Sequence, residues 1–179
     1  MALTSTMHNI TLELSDVDRG VYQTLELKLA RHPSESAEYL VTRLLAYALE
    51  YTEGIEFTPG LSDGDDPPIV VRDLTGKLLA WIDVGSPDAA RLHRAAKAVD
   101  RVAVYTHKDL RNVLGQLEGK KIHRAAEIPL FAFDRQVIEE IAERLQRRMQ
   151  ITLSRTEGHL YLDVDGHAIE TVVGEHRVG

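Results

Sequence analysis

The segment WIDVGSPDAARLHRAAKAVDRVAVYT, residues 81–106, contains the pattern that decides the fold. An apolar run ends in Asp83, a Gly-Ser-Pro turn follows, and a helical stretch leads to a second apolar run, RVAVYT. A short apolar run bounded by turn signals is typical of a strand buried on both faces of a parallel or mixed sheet. We expect Ser86 to cap the intervening helix, Pro87 to occupy its first turn, and the helix to end near Val99.

The residues before this segment indicate a second group of elements. Two strands are predicted at 68–73 and 77–84, joined by a Leu-Thr-Gly turn, and an acidic loop rich in Gly and Pro precedes them. A helix is expected from Pro33 or Ser34 to about Tyr51, with Arg43 and Glu50 facing away from its apolar stripe. Two alternating stretches, 7–14 and 21–29, predict an N-terminal antiparallel hairpin.

The residues after the segment continue the alternation of strands and helices. We expect a helix near 108–118, a strand near 128–133, and a helix from Asp134 to about Arg148. Three alternating stretches joined by Glu157-Gly158 and Asp165-Gly166 then predict a β-meander. The whole pattern predicts one domain over 1–179, of the α/β or α+β class, with a mixed central sheet flanked by helices.

The composition limits the class of protein. The chain has 179 residues, 44% of them hydrophobic, which is enough for a sizeable core. It has no cysteine, which excludes a zinc site of the cysteine type and favours a reducing, cytoplasmic location. No apolar run approaches the length of a membrane span, so no membrane partner is expected. The net charge of −7 argues against a protein that coats nucleic acid generally, although a local basic groove is compatible with it.

Four acidic residues are the candidates for a metal site. Glu38 lies at the margin of the apolar stripe of its helix, Asp65 and Asp66 precede one predicted strand, and Asp83 ends the next. Carboxylates grouped in this way suit Mg²⁺ or Mn²⁺, which would hold a phosphate and activate a water molecule. Arg91, Arg94 and Lys97 follow on a basic helix and could stabilise negative charge in a transition state. This arrangement is the layout of the PD-(D/E)XK nuclease fold, in which a helix and two paired strands each carry an acid and a basic helix follows.

Three segments in combination resemble the YaeQ family of bacterial proteins. They are LARHPSESAEYLVTRLLAY (29–47), LSDGDDPP (61–68) and the segment 81–106, and the resemblance extends over essentially the whole chain. It implies a restriction-endonuclease-like variant of the PD-(D/E)XK fold in a small cytoplasmic protein.

The family pattern also implies which residues form a site. The match covers a first block (His32, Pro33, Ser34, Glu35, Glu38), an acidic loop (Asp65, Asp66, Pro67) and a third block (Asp83, Gly85, Pro87, Asp88). A standard nuclease of this fold has its catalytic lysine two residues after the third acid, and this chain has Gly85 there. The resemblance places Arg94 where the family has a compensating lysine, with Lys97 one turn further on. Arginine binds phosphate well but cannot transfer a proton at neutral pH.

These residues leave two functions open. In the first, Glu38, Asp66 and Asp83 bind Mg²⁺ in a phosphodiesterase that acts on nucleic acid, and Arg94 or Lys97 stabilises the developing charge. In the second, catalysis has been lost and the same cleft, with Glu35, Asp88 and Arg91 at its edge, binds nucleic acid or a protein. A structural alternative exists for each residue: Asp83 could bond to the helix that follows it, and Arg91 and Arg94 could pair with Asp88 and Asp100 on the surface.

Overall fold

A computed structural model describes residues 4–59 and 66–179. Its strands and helices, in chain order, are β1 Thr6–Asp16, β2 Val21–Arg31, α1 Ala37–Leu49, β3 Ile55–Phe57, β4 Ile69–Arg72, β5 Leu78–Val84, α2 Ala89–Ala98, β6 Arg101–Thr106, α3 Leu110–Leu117, β7 Pro129–Ala132, α4 Arg135–Ala142, β8 Arg148–Thr156, β9 His159–Val164, β10 His167–Val172 and β11 Gly174–Arg177. A single 3₁₀ turn, Ala125–Glu127, precedes β7. No helix in the described ranges is long and apolar enough to cross a membrane.

The strands form two mixed sheets, whereas the sequence predicted one central sheet. The first has the order β10-β9-β8-β1-β2 and the second the order β11-β7-β6-β5-β4-β3. The chain accordingly divides into two compact units, one of Met1–Val41 with Asp134–Val173 and one of Thr42–Phe133 with Gly174–Gly179. The α+β class with helices flanking the sheets is confirmed, and the single sheet is wrong because the N-terminal hairpin pairs with the C-terminal meander instead of with β4–β7.

The first unit contains both the predicted hairpin and the predicted meander. β1 pairs antiparallel with β2, and β8, β9 and β10 pair antiparallel in succession. The parallel pairing of β1 with β8 joins them, and on β1 every second residue from His8 to Asp16 is buried.

The carboxylate of Asp18 accepts hydrogen bonds from the backbone N–H groups of Glu157 (2.6 Å) and Gly158 (3.1 Å) in the β8–β9 turn. These bonds lower the pKa of Asp18, first through Glu157 and then through Gly158.

The second unit is built on the three parallel strands β5, β6 and β7. β5 pairs parallel with β6, and β6 with β7. β11 adds an antiparallel edge beside β7, and β4 followed by β3 adds antiparallel strands beside β5. Residues 102–106 of β6 are all buried, as its apolar run predicted. Its core contains the buried face of α2 and side chains from α3 and β6 (Leu92, Ala95, Ala96, Val99, Val102, Val104, Val113, Leu117).

Three helix ends differ from the prediction because local hydrogen bonds favour turns. α1 begins at Ala37 rather than near Pro33, since the hydroxyl of Ser36 accepts the N–H of Tyr39 at 3.0 Å. α2 is capped by Asp88, whose carboxylate accepts the N–H of Arg91 at 2.8 Å, and not by Ser86. α4 ends at Ala142 instead of Arg148 because the next residues form i→i−3 bonds that lead into β8.

Arg43 in α1 and Glu50 just after it are buried, although the helical wheel predicted that both face away. Arg43 is 3% exposed and lies over the ring of Phe57, with 5.5 Å between its guanidinium carbon and the ring centre. Glu50 is 8% exposed, and its carboxylate accepts hydrogen bonds from Arg101 and Tyr105. Each of the two side chains can be buried in its charged form because it has a partner from outside the helix.

Candidate functional site

Asp83 lies at the carboxyl end of β5, where parallel strands commonly carry functional residues. Its position on β5 is opposite Val104 of β6, and it is 4% exposed. Gly85 then adopts a φ of 93°, which favours glycine, and its N–H donates to the carbonyl of Tyr105 at 2.8 Å. This turn directs the chain back across the sheet edge, so that α2 begins six residues after Asp83.

The Asp83 carboxylate is bound by three donors within the second unit. Arg91 Nε donates to Oδ2 at 2.6 Å, Trp81 Nε1 donates to the same oxygen at 3.1 Å, and the N–H of Val84 donates to Oδ1 at 3.2 Å. The ion pair is largely buried, with 17% of the Arg91 side chain and 5% of the Asp83 side chain exposed. Asp83 therefore bonds to the helix that follows it through the Arg91 side chain, while the backbone N–H of Arg91 donates to Asp88.

Arg91 also contacts the other elements at this edge of the second unit. Its guanidinium lies over the ring of Trp81 at 5.4 Å from the ring centre, which is the geometry of a cation–π contact. Its NH2 group donates to the backbone carbonyl of Asp66 at 2.8 Å. One guanidinium thus holds Asp83, Trp81 and the chain just before β4 together.

The remaining acidic candidates occupy different positions. The Asp66 side chain is exposed and its backbone oxygen contacts Arg91, while Asp65 lies outside the described residues. Glu38 is in the first turn of α1 and partly buried. Glu35 is 4% exposed, and its carbonyl accepts a hydrogen bond from Arg31 at 3.1 Å. Glu35 and Glu38 belong to the first unit, whereas Asp66 and Asp83 belong to the second.

The acids of the second unit do not fit a metal centre as the structure describes them. Both oxygens of Asp83 already accept hydrogen bonds, and the strongest donor is itself a cation. Within residues 4–59 and 66–179, no three His, Asp or Glu side chains are grouped so that they could hold a metal ion. A divalent ion at Asp83 would compete with the Arg91 guanidinium for the carboxylate.

The two cations that the family pattern emphasised lie on the outer face of α2. Arg94 and Lys97 are exposed, whereas Leu92, Ala95 and Ala96 form the buried face. Arg94 is three residues after Arg91 and therefore points about 60° away from it around the helix. The cation that binds Asp83 is Arg91, which the sequence placed only at the edge of the cleft.

A basic surface forms where α2 meets the loop before β7. We define it by His93, Lys97, Lys121 and His123. The backbone N–H of His123 donates to Nδ1 of His93 at 3.0 Å, which joins two basic runs that are separated in sequence. Partial burial lowers the pKa of His93, and Lys97, Lys121 and His123 lower it further through their positive charge. Lys121 and His123 lie in the short basic run KKIHR, residues 120–124.

Glu50, Arg101 and Tyr105 form a further polar cluster that sequence reasoning missed. Arg101 binds the Glu50 carboxylate through two nitrogens, at 3.0 Å from Nε and 2.6 Å from NH2, and the hydroxyl of Tyr105 donates at 2.7 Å. The hydrogen bond to Glu50 raises the pKa of Arg101. The only signal of this cluster in the sequence was a charged residue at the end of an apolar helix together with a strand that begins with arginine. The cluster links the residue that follows α1, Glu50, to two residues of β6 within the second unit.

Comparison with known proteins identifies close structural relatives. A family model described as YaeQ protein matches residues 1–173. The "Uncharacterized protein YaeQ" of Escherichia coli (strain K12) is 29% identical over 171 residues, which cover 95% of this chain and 94% of that protein. The crystal structure of YaeQ protein from Pseudomonas syringae has a TM-score of 0.87 and 32% identity, and covers 98% of both chains. The structure of YaeQ protein from Xanthomonas axonopodis pv. citri has a TM-score of 0.85 and 30% identity, over 97% of this chain and 98% of that one.

Proposed function

Because the chain belongs to the YaeQ family, we propose that it is a nucleic-acid-binding protein on a restriction-endonuclease-like scaffold, in which an arginine has taken the place of the metal. The succession of α1, the short strand β3, the paired strands β4 and β5, and α2 supports this proposal, with Asp83 near the end of β5. Gly85 stands where a nuclease of this type has its catalytic lysine.

The buried ion pair between Asp83 and Arg91 is the observation that supports a loss of catalysis. Breaking such a pair leaves a buried charge without compensation, which costs about 3–5 kcal/mol. A divalent ion would have to offset this cost and also displace the bond from Arg91 to the Asp66 carbonyl, 2.8 Å long. The guanidinium therefore competes directly with Mg²⁺ or Mn²⁺ for Asp83.

The basic surface supports binding of a polyanion. Lys97, Lys121 and His123 are exposed around the partly buried His93, on a chain whose net charge is −7. Local clusters of this kind bind phosphate groups and supply the part of the affinity that depends on salt. Arg94, also exposed on α2, would extend the surface along the helix. A bound phosphate would stabilise the charged form of His93 and raise its pKa from the lowered value.

Fluorescence anisotropy with labelled DNA and RNA strands of about 20 nucleotides tests the proposal. We expect affinity to fall between about 50 and about 200 mM salt, and the Lys97→Gln/Lys121→Gln variant to reduce the slope of log K against log salt by about 1.4–1.8. The matched control is Lys28→Gln/Lys77→Gln, which removes the same charge from two exposed lysines elsewhere. No binding at the lower salt, or equal loss in both variants, would contradict the proposal.

A metal-dependent phosphodiesterase is the second candidate. One observation favours it: a single cation, the Arg91 guanidinium, already bridges the Asp83 carboxylate and the Asp66 carbonyl, so these two segments converge on a point that accepts positive charge. Asp66 and Asp83 would be the proposed ligands within the second unit, and Arg94 or Lys97 the charge-stabilising groups. Titration calorimetry at millimolar Mg²⁺ or Mn²⁺, followed by DNA and RNA cleavage assays with Asp83→Asn, decides between the candidates. Binding of metal together with cleavage that Asp83→Asn abolishes would establish the enzyme and refute loss of catalysis.

A further inference from the structure

A cavity of about 580 Å³ opens on the second unit, away from Asp83 in sequence. It is formed by α3, by the loop from Glu118 to Ala125, and by the last three residues, Arg177 to Gly179. Its volume lies within the range of about 300–1,000 Å³ that is typical of sites for small ligands.

The floor of the cavity is apolar and firmly packed. Leu117 and Val178 belong to the buried core, and Leu114, Ile122 and Ala125 pack against that core while lining the cavity. A floor that is part of the folding core keeps its shape without a ligand, which lowers the cost of binding. The body of a ligand seated there would be aromatic or aliphatic.

Gly115 is the residue that keeps the cavity open. It lies inside α3, where glycine is the least favourable residue except proline, and it lines the cavity. A Cβ built at Gly115 meets no atom within 4 Å, and its φ is not positive. Neither close packing nor backbone conformation therefore requires glycine at this position. The missing side chain leaves open space on the α3 side of the cavity.

The charged residues around the cavity favour an anion. Arg111, Lys120 and Arg177 line it, against one acid, Glu118. Arg177 also contacts Glu175 at 3.3 Å, but both side chains are about half exposed, so the guanidinium retains donors for a ligand. We propose that this cavity binds a small anionic molecule with an apolar body, such as an aryl or alkyl carboxylate, sulfonate or phosphate ester.

Two fluorescent probes that differ by one sulfonate group test the proposal. 8-Anilinonaphthalene-1-sulfonate carries the anion, and N-phenyl-1-naphthylamine is its uncharged counterpart. We expect one anionic probe to bind per chain, about tenfold more tightly than the neutral probe, which corresponds to about 1.4 kcal/mol. Equal affinities, or no binding of the anionic probe below about 1 mM, would overturn the proposal.

Variants locate the probe in the cavity. Gly115→Trp should fill the space and weaken both probes at least about tenfold, whereas Gly115→Ala, its matched control, should bind both as the wild type does. Arg111→Gln/Lys120→Gln should weaken the anionic probe about tenfold and leave the neutral probe unchanged, in contrast to Lys28→Gln/Lys77→Gln. Circular dichroism checks that each variant is folded. If Gly115→Trp folds and binds both probes normally, or if the two charge variants behave alike, the cavity is not the site.

Discussion

The ion pair between Arg91 and Asp83 predicts a strong energetic coupling between the two residues. We consider the change Arg91→Met, which keeps much of the apolar volume over Trp81 and removes the guanidinium. It leaves a carboxylate that is only 5% exposed without its cation. The second change, Asp83→Asn, removes the charge that needs compensation. Because the two residues contact each other at 2.6 Å, their effects on stability cannot be independent.

The magnitude follows from burial and from the remaining hydrogen bonds. Removing one partner of a buried pair costs about 3–5 kcal/mol. Arg91 is 17% exposed, and Asp83 retains donors from Trp81 and Val84, so we expect the lower end, about 3 kcal/mol, for Arg91→Met. Asp83→Asn should cost about 2 kcal/mol, since Arg91 keeps its bond to the Asp66 carbonyl. The double variant should lose about 2–3 kcal/mol instead of the sum of about 5 kcal/mol, which is a coupling of about 2–3 kcal/mol.

Urea unfolding of the four proteins measures this coupling. The chain has one tryptophan, Trp81, whose indole N–H donates to Asp83, so its fluorescence reports the unfolding of this unit directly. The slope of free energy against urea should stay the same in all four proteins, which would show that only stability has changed. Additive effects, within about 0.5 kcal/mol, would refute the reasoning, because they would mean that the pair contributes no more than a surface ion pair.

Three further changes have definite expected outcomes. Gly54→Ala should destabilise the protein by about 3 kcal/mol or more in urea unfolding, because φ is +90° there and the new Cβ would lie 2.0 Å from the Arg72 carbonyl oxygen; normal stability would show that this loop adjusts freely. Glu50→Gln should cost about 2–3 kcal/mol in the same assay, since an amide N–H₂ would replace an oxygen bound to Arg101; Glu56→Gln, at an exposed pair 3.5 Å long, is the control with little expected effect. Asp18→Ala should lower the melting temperature at pH 7. Because the folded pKa of Asp18 lies below the ordinary value of an aspartate, this stabilisation is present above that ordinary value and is lost as the pH falls through the folded pKa. The two melting curves should therefore converge in acid, and a constant difference down to the lowest pH would contradict the assignment.

Local periodicity explains which parts of the fold could be predicted. The alternation of β1, the continuous apolar run of β6 and the Asp-Gly turn before β10 are set by residues close in sequence, and each was predicted in its place. The division into two sheets depends on the parallel pairing of β1 with β8, whose partners Asn9 and Arg148 lie far apart along the chain. Pairing over such a separation is decided by the burial of whole faces and not by any short pattern.

The charged residues Arg43 and Glu50 show why the helical-wheel prediction was misleading. The wheel ranks positions by the average hydrophobicity of their neighbours, so it places a charged side chain at the surface unless a partner is known. Glu50 has such a partner in Arg101, and Arg43 lies over Phe57, and both partners come from other elements of the chain. Burial of a charge is thus a property of a pair, and single positions carry no sign of it.

The same reasoning applies to the cation at the candidate site. Sequence comparison placed the substitute for the missing lysine at Arg94, with Lys97 one turn further on, because it counted positions along α2. The geometry depends instead on the turn: Gly85 at φ 93° reverses the chain, Asp88 starts the helix, and the first arginine after this cap returns to Asp83. Arg91 then neutralises the acid that a metal would need, while Arg94 and Lys97 remain exposed. If the protein acts on phosphate groups, the buried arginine and the exposed cations have separate roles: Arg91 maintains the turn, and the outer face of α2 contacts the ligand.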